Sequence, residues 1–302
     1  MIFISIASYR DQELQATIDS LFGNAHCPEE LRICVCQQDV PENYIESSDH
    51  LEVKHFLPEK SEGVGWARNI IDNMYGEEEL FLQIDAHTEM VSGWDTLLKG
   101  QMELARKETS RPIVFATYPV PYELNVDGSR DTKGAYTNKT AIKFKDGLLD
   151  GLSIITKLDH PIRARYLNAG FMFGDGTFCE KIKHNPLVCY WGEEIAMTVR
   201  AYTSGFDMFH PSVHMCWHNY NRVNDSRCWD IIDDNKRSVT WKYRDAKSKD
   251  IVKNLCLGRL LGKYNLGKER SIKDFEHYAE VDFRSREVSS SARVAEWTEN
   301  LK

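Results

Sequence analysis

Two rhythms of apolar residues alternate through the first third of the chain. Ile2 to Ala7, Leu31 to Cys36, Val53 to Leu57 and Leu80 to Ile84 are short apolar runs of strand length, bounded by polar or turn-forming residues. Between them lie stretches with helical spacing: Gln12 to Phe22, where Leu14, Ile18, Leu21 and Phe22 share a face, then Trp66 to Tyr75 and Trp94 to Arg106. The order strand, helix, strand, strand, helix, strand, helix predicts an α/β fold with a mostly parallel central sheet flanked by helices, because parallel neighbours need a crossover between them. Ligands of such open sheets sit beyond the carboxyl ends of the strands. Ser8, Tyr9, Arg10, Gln37, Gln38, Asp85 and His87 are therefore expected along one rim.

The pattern continues with a strand over Ile113 to Tyr118 and a polar stretch from Pro119 to Lys139, rich in turn residues, that is a candidate acceptor-side loop. Tyr166 to Phe173 returns to strand character, Glu193 to Tyr202 reads as a helix, and Asp207 to Trp217 as strand-like. From about Thr240 the charge rises and helix-like pieces predict a C-terminal helical extension. No repeat or low-complexity linker interrupts the chain.

Composition narrows this picture. A chain of 302 residues with 42% hydrophobic content can bury a full core. Its net charge of -8 lacks the broad basic field of a nucleic-acid binder, so nucleic acid is not expected as a partner. The amino-terminal run MIFISIASYRDQ reads as a first strand rather than a signal peptide, and no stretch is apolar for long enough to span a bilayer. The eight cysteines fall mostly inside apolar runs and read as buried thiols of a reducing cytoplasm. Cys34 lies two before Cys36, and Cys216 two before His218, but no CxxC pair anchors a zinc site.

The sharpest chemical signal is the run Phe81-Leu82-Gln83-Ile84-Asp85-Ala86-His87, an apolar strand ending in a carboxylate and an imidazole two positions apart. Positions i and i+2 of an extended chain point the same way, so both can address one divalent cation, and the mixed oxygen and nitrogen donors suit Mn²⁺. An ordinary strand end is the competing reading. A third ligand is available from His210, His214 and His218; His218, at the end of an apolar run and four before Arg222, is the best placed, whereas His214 reads as a packed core residue. Between these segments Gly170 allows close approach to the backbone, Trp191 offers a flat face for a sugar ring, and Glu193 and Glu194 open a helix. Paired acids at a helix start are also favoured by the macrodipole alone.

The order of these segments is more specific than any one of them. IFISIASYRD at the start, GVGWARN over Gly63 to Asn69, LQIDAHTEMVSGWD over Leu82 to Asp95, NAGFMFGDG over Asn168 to Gly176, then WGEE and WHNYNR, resemble the GlcNAc-transferase family. Its best-known members are similar to cytoplasmic enzymes that attach N-acetylglucosamine to hydroxyproline on Skp1-type proteins. The resemblance runs from Ile2 to about Arg222 and weakly over Arg270 to Phe283. A more distant similarity is to the polypeptide N-acetylgalactosaminyltransferases, with their Asp-x-His metal motif, acidic Trp-Gly segment and later metal-binding histidine.

The resemblance implies a Rossmann-like GT-A catalytic domain over residues 1–239, with a nucleotide-binding half to about 118 and an acceptor-side half from about 119, followed by the extension over 240–302. It implies a UDP-sugar donor, Mn²⁺ or Mg²⁺ held by Asp85, His87 and His218, and transfer with retention. Arg222 would assist at the diphosphate, and Ser8, Tyr9 and Arg10 lie where uridine is held. Arg68 is a second nucleotide candidate, its alternative being a solvent-facing helix arginine. Trp191, Glu193 and Glu194 would orient the donor sugar or acceptor, and one glutamate would stabilise a cationic sugar. The expected activity is transfer of N-acetylglucosamine from UDP-GlcNAc to a hydroxyl, hydroxyproline or another, on a protein. Its alternatives are another UDP-sugar passed to a glycan, lipid or modified nucleobase, a metal-dependent sugar-nucleotide hydrolase, or a binding module without turnover.

Overall fold

The computed structural model describes residues 1–132, 134–221 and 226–297. The first half contains β1 (Ile2–Tyr9), α1 (Leu14–Asn24), β2 (Leu31–Gln38), β3 (Leu51–Phe56), α2 (Val64–Asp72), β4 (Leu80–Asp85), β5 (Thr88–Met90), α3 (Trp94–Arg106) and β6 (Ile113–Ala116). The short strands β7 (Val120–Pro121), β8 (Glu123–Leu124) and β9 (Arg130–Asp131) follow, then the long hairpin β10 (Thr137–Lys145) and β11 (Leu148–Thr156), β12 (Ile162–Arg163) and β13 (Phe171–Asp175). Next come α4 (Thr177–Lys181), α5 (Glu193–Thr203), β14 (Asp207–His210), β15 (Cys216–His218), α6 (Ile231–Asp234), α7 (Trp241–Cys256), α8 (Ile272–Ala279) and the hairpin β16 (Val281–Asp282) and β17 (Glu287–Val288).

Eight strands form the central sheet in the order β12-β14-β6-β13-β4-β1-β2-β3. The block β4-β1-β2-β3 is parallel, as is β6 with β14, while β13 runs antiparallel between β4 and β6. Side chains of successive strand residues alternate between faces, and each face has its own core. Ile2, Ile4 and Ile6 of β1, with Leu80, Leu82 and Ile84 of β4, pack with Leu14 and Ile18 of α1 and Leu98 and Met102 of α3. Phe3 and Phe81 lie in the opposite core with Ala67 and Ile71 of α2, Ile195 and Val199 of α5, and Val252 and Leu255 of α7. Cys34 and Cys36 belong to that second core, where burial pushes both thiols up to about 12.

Three segments differ from the sequence expectation. Asp207 to Trp217 is not one strand: Pro211, which has no amide to donate, separates β14 in the central sheet from β15 in a small sheet with β5 and β7. The strand expected over Tyr166 to Phe173 begins only at Phe171. The polar stretch from Pro119 carries the short strands β7, β8 and β9, and the β10–β11 hairpin beyond it was not anticipated. Among the described residues no helix is long and apolar enough to cross a membrane.

Candidate functional site

A cavity of about 640 Å³ opens beyond the carboxyl ends of β1, β2 and β4. The parallel registers put Ala7 beside Asp85 and Tyr9 beside Gln38, so the strand ends meet at one rim. Tyr9, Gln38, Asp85 and His87 line the cavity. Gln37 instead pins a loop, donating to Asn43 O and accepting from Ile45 N, and Ser8 is buried.

Alternation along β4 gives Asp85 the same side as Phe81, toward α2 and α5. The second histidine arrives through strand pairing: β5 follows β4 after two residues, and its antiparallel partner β15 places His218 opposite Thr88. His218 Nε2 lies 3.1 Å from Asp85 Oδ2, and the His87 and His218 rings stand 4.5 Å apart at 69°. One donor atom from each of Asp85, His87 and His218 falls within 4.8 Å of the others, and this is the grouping of metal-binding type found among the described residues. A carboxylate oxygen and two imidazole nitrogens are a donor set that first-row divalent cations accept, so the residues fit a bound Mn²⁺.

Charge at this floor is held by a buried chain of partners. Arg68, 1% exposed, sits on the inner face of α2. Its Nη2 donates to Asp85 Oδ1 at 2.8 Å, and its Nη1 donates to Glu193 Oε1 and to Ala169 O, each at 3.0 Å. Arg68 is therefore not the solvent-facing helix arginine that was one of its two sequence readings. His184 continues the chain, with Nδ1 3.0 Å from Asp72 Oδ2 and Nε2 3.3 Å from Glu193 Oε1. Burial alone would raise the Asp85 carboxyl, but the His218 hydrogen bond and the Arg68 guanidinium outweigh it and hold Asp85 well below the usual carboxylate range.

The two adjacent glutamates are separated by the same logic. Glu193 is buried, yet Arg68 and His184 keep its carboxyl below the ordinary value. Among the described residues Glu194 has no such cationic partner. Burial, helped by the nearby charges of Glu193 and Asp150 and opposed by the Ala169 N–H, pushes it up to about 7. Its Oε1 accepts from Ala169 N at 2.9 Å, and its Oε2 accepts from the Tyr118 hydroxyl at 3.4 Å. A Cβ added to Gly170 would stand 3.4 Å from Asp85 Oδ2, so the glycine keeps the backbone low beside the carboxylate.

Trp191 and Tyr190 are partly exposed on the cavity wall, edge to face at 5.7 Å, with the Trp229 ring 4.8 Å from Tyr190. Tyr9 and Arg10 lie beyond β1 as expected, but both are engaged by α6. The Tyr9 hydroxyl donates to Asp233 Oδ2 at 2.7 Å and Arg10 Nε donates to the same atom at 2.8 Å. Arg222 lies outside the described residues. His210 is a buried core histidine, with Nδ1 2.8 Å from Ala116 O and Nε2 accepting from Thr140 N. His214 packs on Trp217 away from the metal-type cluster, and burial lowers both rings to about 4.

Several cavity residues were not singled out from the sequence. Tyr118 lies two residues past the end of β6, at the end of the strand expected from the sequence, so the rim argument could have included it. Lys145, Leu148, Leu149 and Asp150 reach the cavity on the unanticipated hairpin, the Lys145 ammonium standing 4.8 Å above the Trp191 ring. Asp11, one residue past Arg10, accepts from His87 Nδ1 at 2.8 Å.

The sequence profile of the family described as "Glycosyltransferase (GlcNAc)" matches residues 1–49 and 41–285. No curated protein matches the chain. Among solved structures it is similar to GalNAc-T7, crystallised with UDP, GalNAc and Mn²⁺, at 15% identity and a TM-score of 0.58 over 92% of this chain and 54% of that one. It is also similar to S. aureus TarS 1–349, at 13% identity and a TM-score of 0.44 over 72% of this chain and 60% of that one. The same TarS fragment in complex with UDP gives 11% identity and 0.46 over 84% and 71%. The chain thus spans about half the length of GalNAc-T7, and the likeness to that protein is one of fold, GT-A.

Proposed function

The chain belongs to the GlcNAc glycosyltransferase family, and from that premise we propose that it transfers N-acetylglucosamine from UDP-GlcNAc to a hydroxyl acceptor, on a protein, in a Mn²⁺-dependent reaction that retains the anomeric configuration. The observation that carries this reading is the convergence of Asp85, His87 and His218 at the floor of a cavity beyond the strand ends. Bound there, Mn²⁺ would supply positive charge against the diphosphate as the leaving group develops its own.

The chain's own residues support the rest. Asp85 stays ionised at any working pH because Arg68 and His218 favour its charge. Glu193 is committed to Arg68 and His184 and acts on structure. Glu194, facing the cavity beside Tyr118, is the one of the two glutamates left to stabilise a cationic sugar or to orient its hydroxyls. Trp191 and Tyr190 give a ring-stacking wall. In the retaining course the sugar C1–O bond to phosphate breaks and the C1–O bond to the acceptor forms on the same face. The acceptor hydroxyl passes its proton to the departing phosphate oxygen, so no separate base is needed. Tyr9 is the candidate uridine contact at the end of β1. Eight free cysteines, six of them buried, favour a reducing, cytoplasmic setting.

The test is UDP release from a panel of UDP-sugars with Mn²⁺ or with EDTA, with and without hydroxyl-bearing peptides, and NMR of the anomeric proton of any product. Metal-dependent, UDP-GlcNAc-selective release that accelerates with acceptor is expected, falling at least about 100-fold in Asp85→Asn. Fast hydrolysis without acceptor would make the protein a sugar-nucleotide hydrolase instead. Undiminished turnover in Asp85→Asn would overturn the metal assignment.

A further inference from the structure

We infer that Arg68 and Asp11 are positioning residues, each occupying one atom of a metal ligand so that only the other is turned to the cation. The inference rests on the reading of Asp85, His87 and His218 as the ligand set. The two oxygens of Asp85 have separate assignments. Oδ1 accepts from Arg68 Nη2 at 2.8 Å, whereas Oδ2 is the oxygen that meets His218 Nε2 at 3.1 Å. A carboxylate free to rotate would offer either oxygen or both; this one is pinned. The pin is itself fixed, because Arg68 is 1% exposed and its Nη1 donates to Glu193 Oε1 and Ala169 O, one from α5 and one from the turn before β13.

His87 is treated the same way from the opposite side. Its Nδ1 lies 2.8 Å from Asp11 Oδ2, and a carboxylate can only accept there, so Nδ1 carries a proton and Nε2 keeps the lone pair that binds a metal. Asp11 is 7% exposed, and its other oxygen accepts from Glu13 N at 3.0 Å, which fixes the carboxylate plane. Asp85 is thereby limited to Oδ2 and His87 to Nε2.

If the two residues served only the fold, their loss would cost stability and leave cation affinity alone. Loss of such outer partners from metal sites weakens affinity about 10–100-fold. The experiment is a Mn²⁺ titration of the full chain followed by electron paramagnetic resonance, without sugar nucleotide, on wild type, Asp11→Ala, Asp11→Asn, Arg68→Lys and Asp85→Asn, each checked for folding by thermal melting. Asp11→Ala should bind about 10–100-fold more weakly. Asp11→Asn should fall between, since its amide oxygen still accepts, and Arg68→Lys should weaken because one ammonium cannot match the planar fork. Nitrogen-15 NMR of the wild-type histidines should find His87 protonated at Nδ1, a readout that needs no variant. Folded Asp11→Ala and Arg68→Lys proteins that bind Mn²⁺ within about twofold of wild type, or a wild-type His87 protonated only at Nε2, would overturn the inference. If Asp85→Asn loses binding while those variants keep it, this inference alone fails. If Asp85→Asn binds as wild type does, the ligand reading fails and takes the inference with it.

Discussion

Glu193 and Glu194 are neighbours in one helix turn with one chemistry, and only their partners separate them. Arg68 and His184 stabilise the charge on Glu193, whereas Glu194 faces Tyr118 and the cavity with no cationic partner among the described residues, and its carboxyl rises to about 7. The sign of the consequence is fixed by linkage. A folded-state value above the ordinary 4.5 means that the folded protein binds this proton more tightly than the unfolded chain. That contribution to stability is complete below pH 4.5 and is lost as pH rises through about 7. Glu194→Gln should remove this loss, so denaturant unfolding at pH 8 should find the variant gaining on wild type relative to pH 5. Its kcat at pH 8 should fall about 100-fold if the ionised carboxylate stabilises the sugar cation. Equal pH dependence of unfolding in both proteins would contradict the burial argument. The acidic pair was legible in the sequence, but the cation beside one member was not, because Arg68 is 125 residues from Glu193.

At the scale of elements, α2 is the part whose placement the site depends on, since it carries Arg68. Its first turn lies against the backbone of residues 185–188, and a Cβ on Gly65 would stand 2.2 Å from Val188 O and 2.8 Å from Asn185 O. Helix propensity alone would favour alanine by about 1 kcal/mol. Backbone oxygens cannot swing aside as a flexible side chain does, so overpacking of about 1–3 kcal/mol should win. Gly65→Ala is therefore expected to lower the denaturation midpoint; a rise would show that α2 does not pack this closely. The β10–β11 hairpin is the element whose absence from the sequence reading cost most, as it brings four residues to the cavity. It did leave a trace in Asp146-Gly147, where both residues have positive φ, the requirement of a two-residue hairpin turn. The lysine-rich, polar character of β10 hid it, because a strand with one face in solvent lacks a continuous apolar run.

For the whole molecule, the site draws on distant parts of the chain: the end of β1, α2, the end of β4, the start of α5 and β15 all reach one cavity. Any ligand bound there couples these parts and should stabilise the fold by mass action, by about 2.7 kcal/mol at a hundredfold excess over its dissociation constant. Thermal melts should therefore rise with UDP and Mn²⁺ together, lose most of the gain in EDTA, and show none of the metal-dependent part in Asp85→Asn. An equal rise with UDP in EDTA would separate nucleotide binding from the metal. The core on one face of the sheet takes in residues after 240 as well: Val252, Leu255, Phe275 and Ala279 pack in the same core as Phe3 and Phe81.

The sequence by itself determined the parallel half of the sheet, the helices between its strands, the rim where chemistry gathers and the Asp-x-His pair at the end of β4. These follow from short-range periodicity, which local residue order carries directly. The choice of His218 over His214 was also made from the sequence. Only the tertiary structure decided how His218 reaches Asp85 and His87, through the pairing of β15 with β5, that Arg68 is buried between two carboxylates, that Asp11 stands behind His87, and that Glu194 rather than Glu193 keeps a raised carboxyl. Each of these depends on strand register, or on a partner tens to hundreds of residues away whose burial sets the balance between desolvation and pairing, and neither quantity is written in any local stretch of the chain.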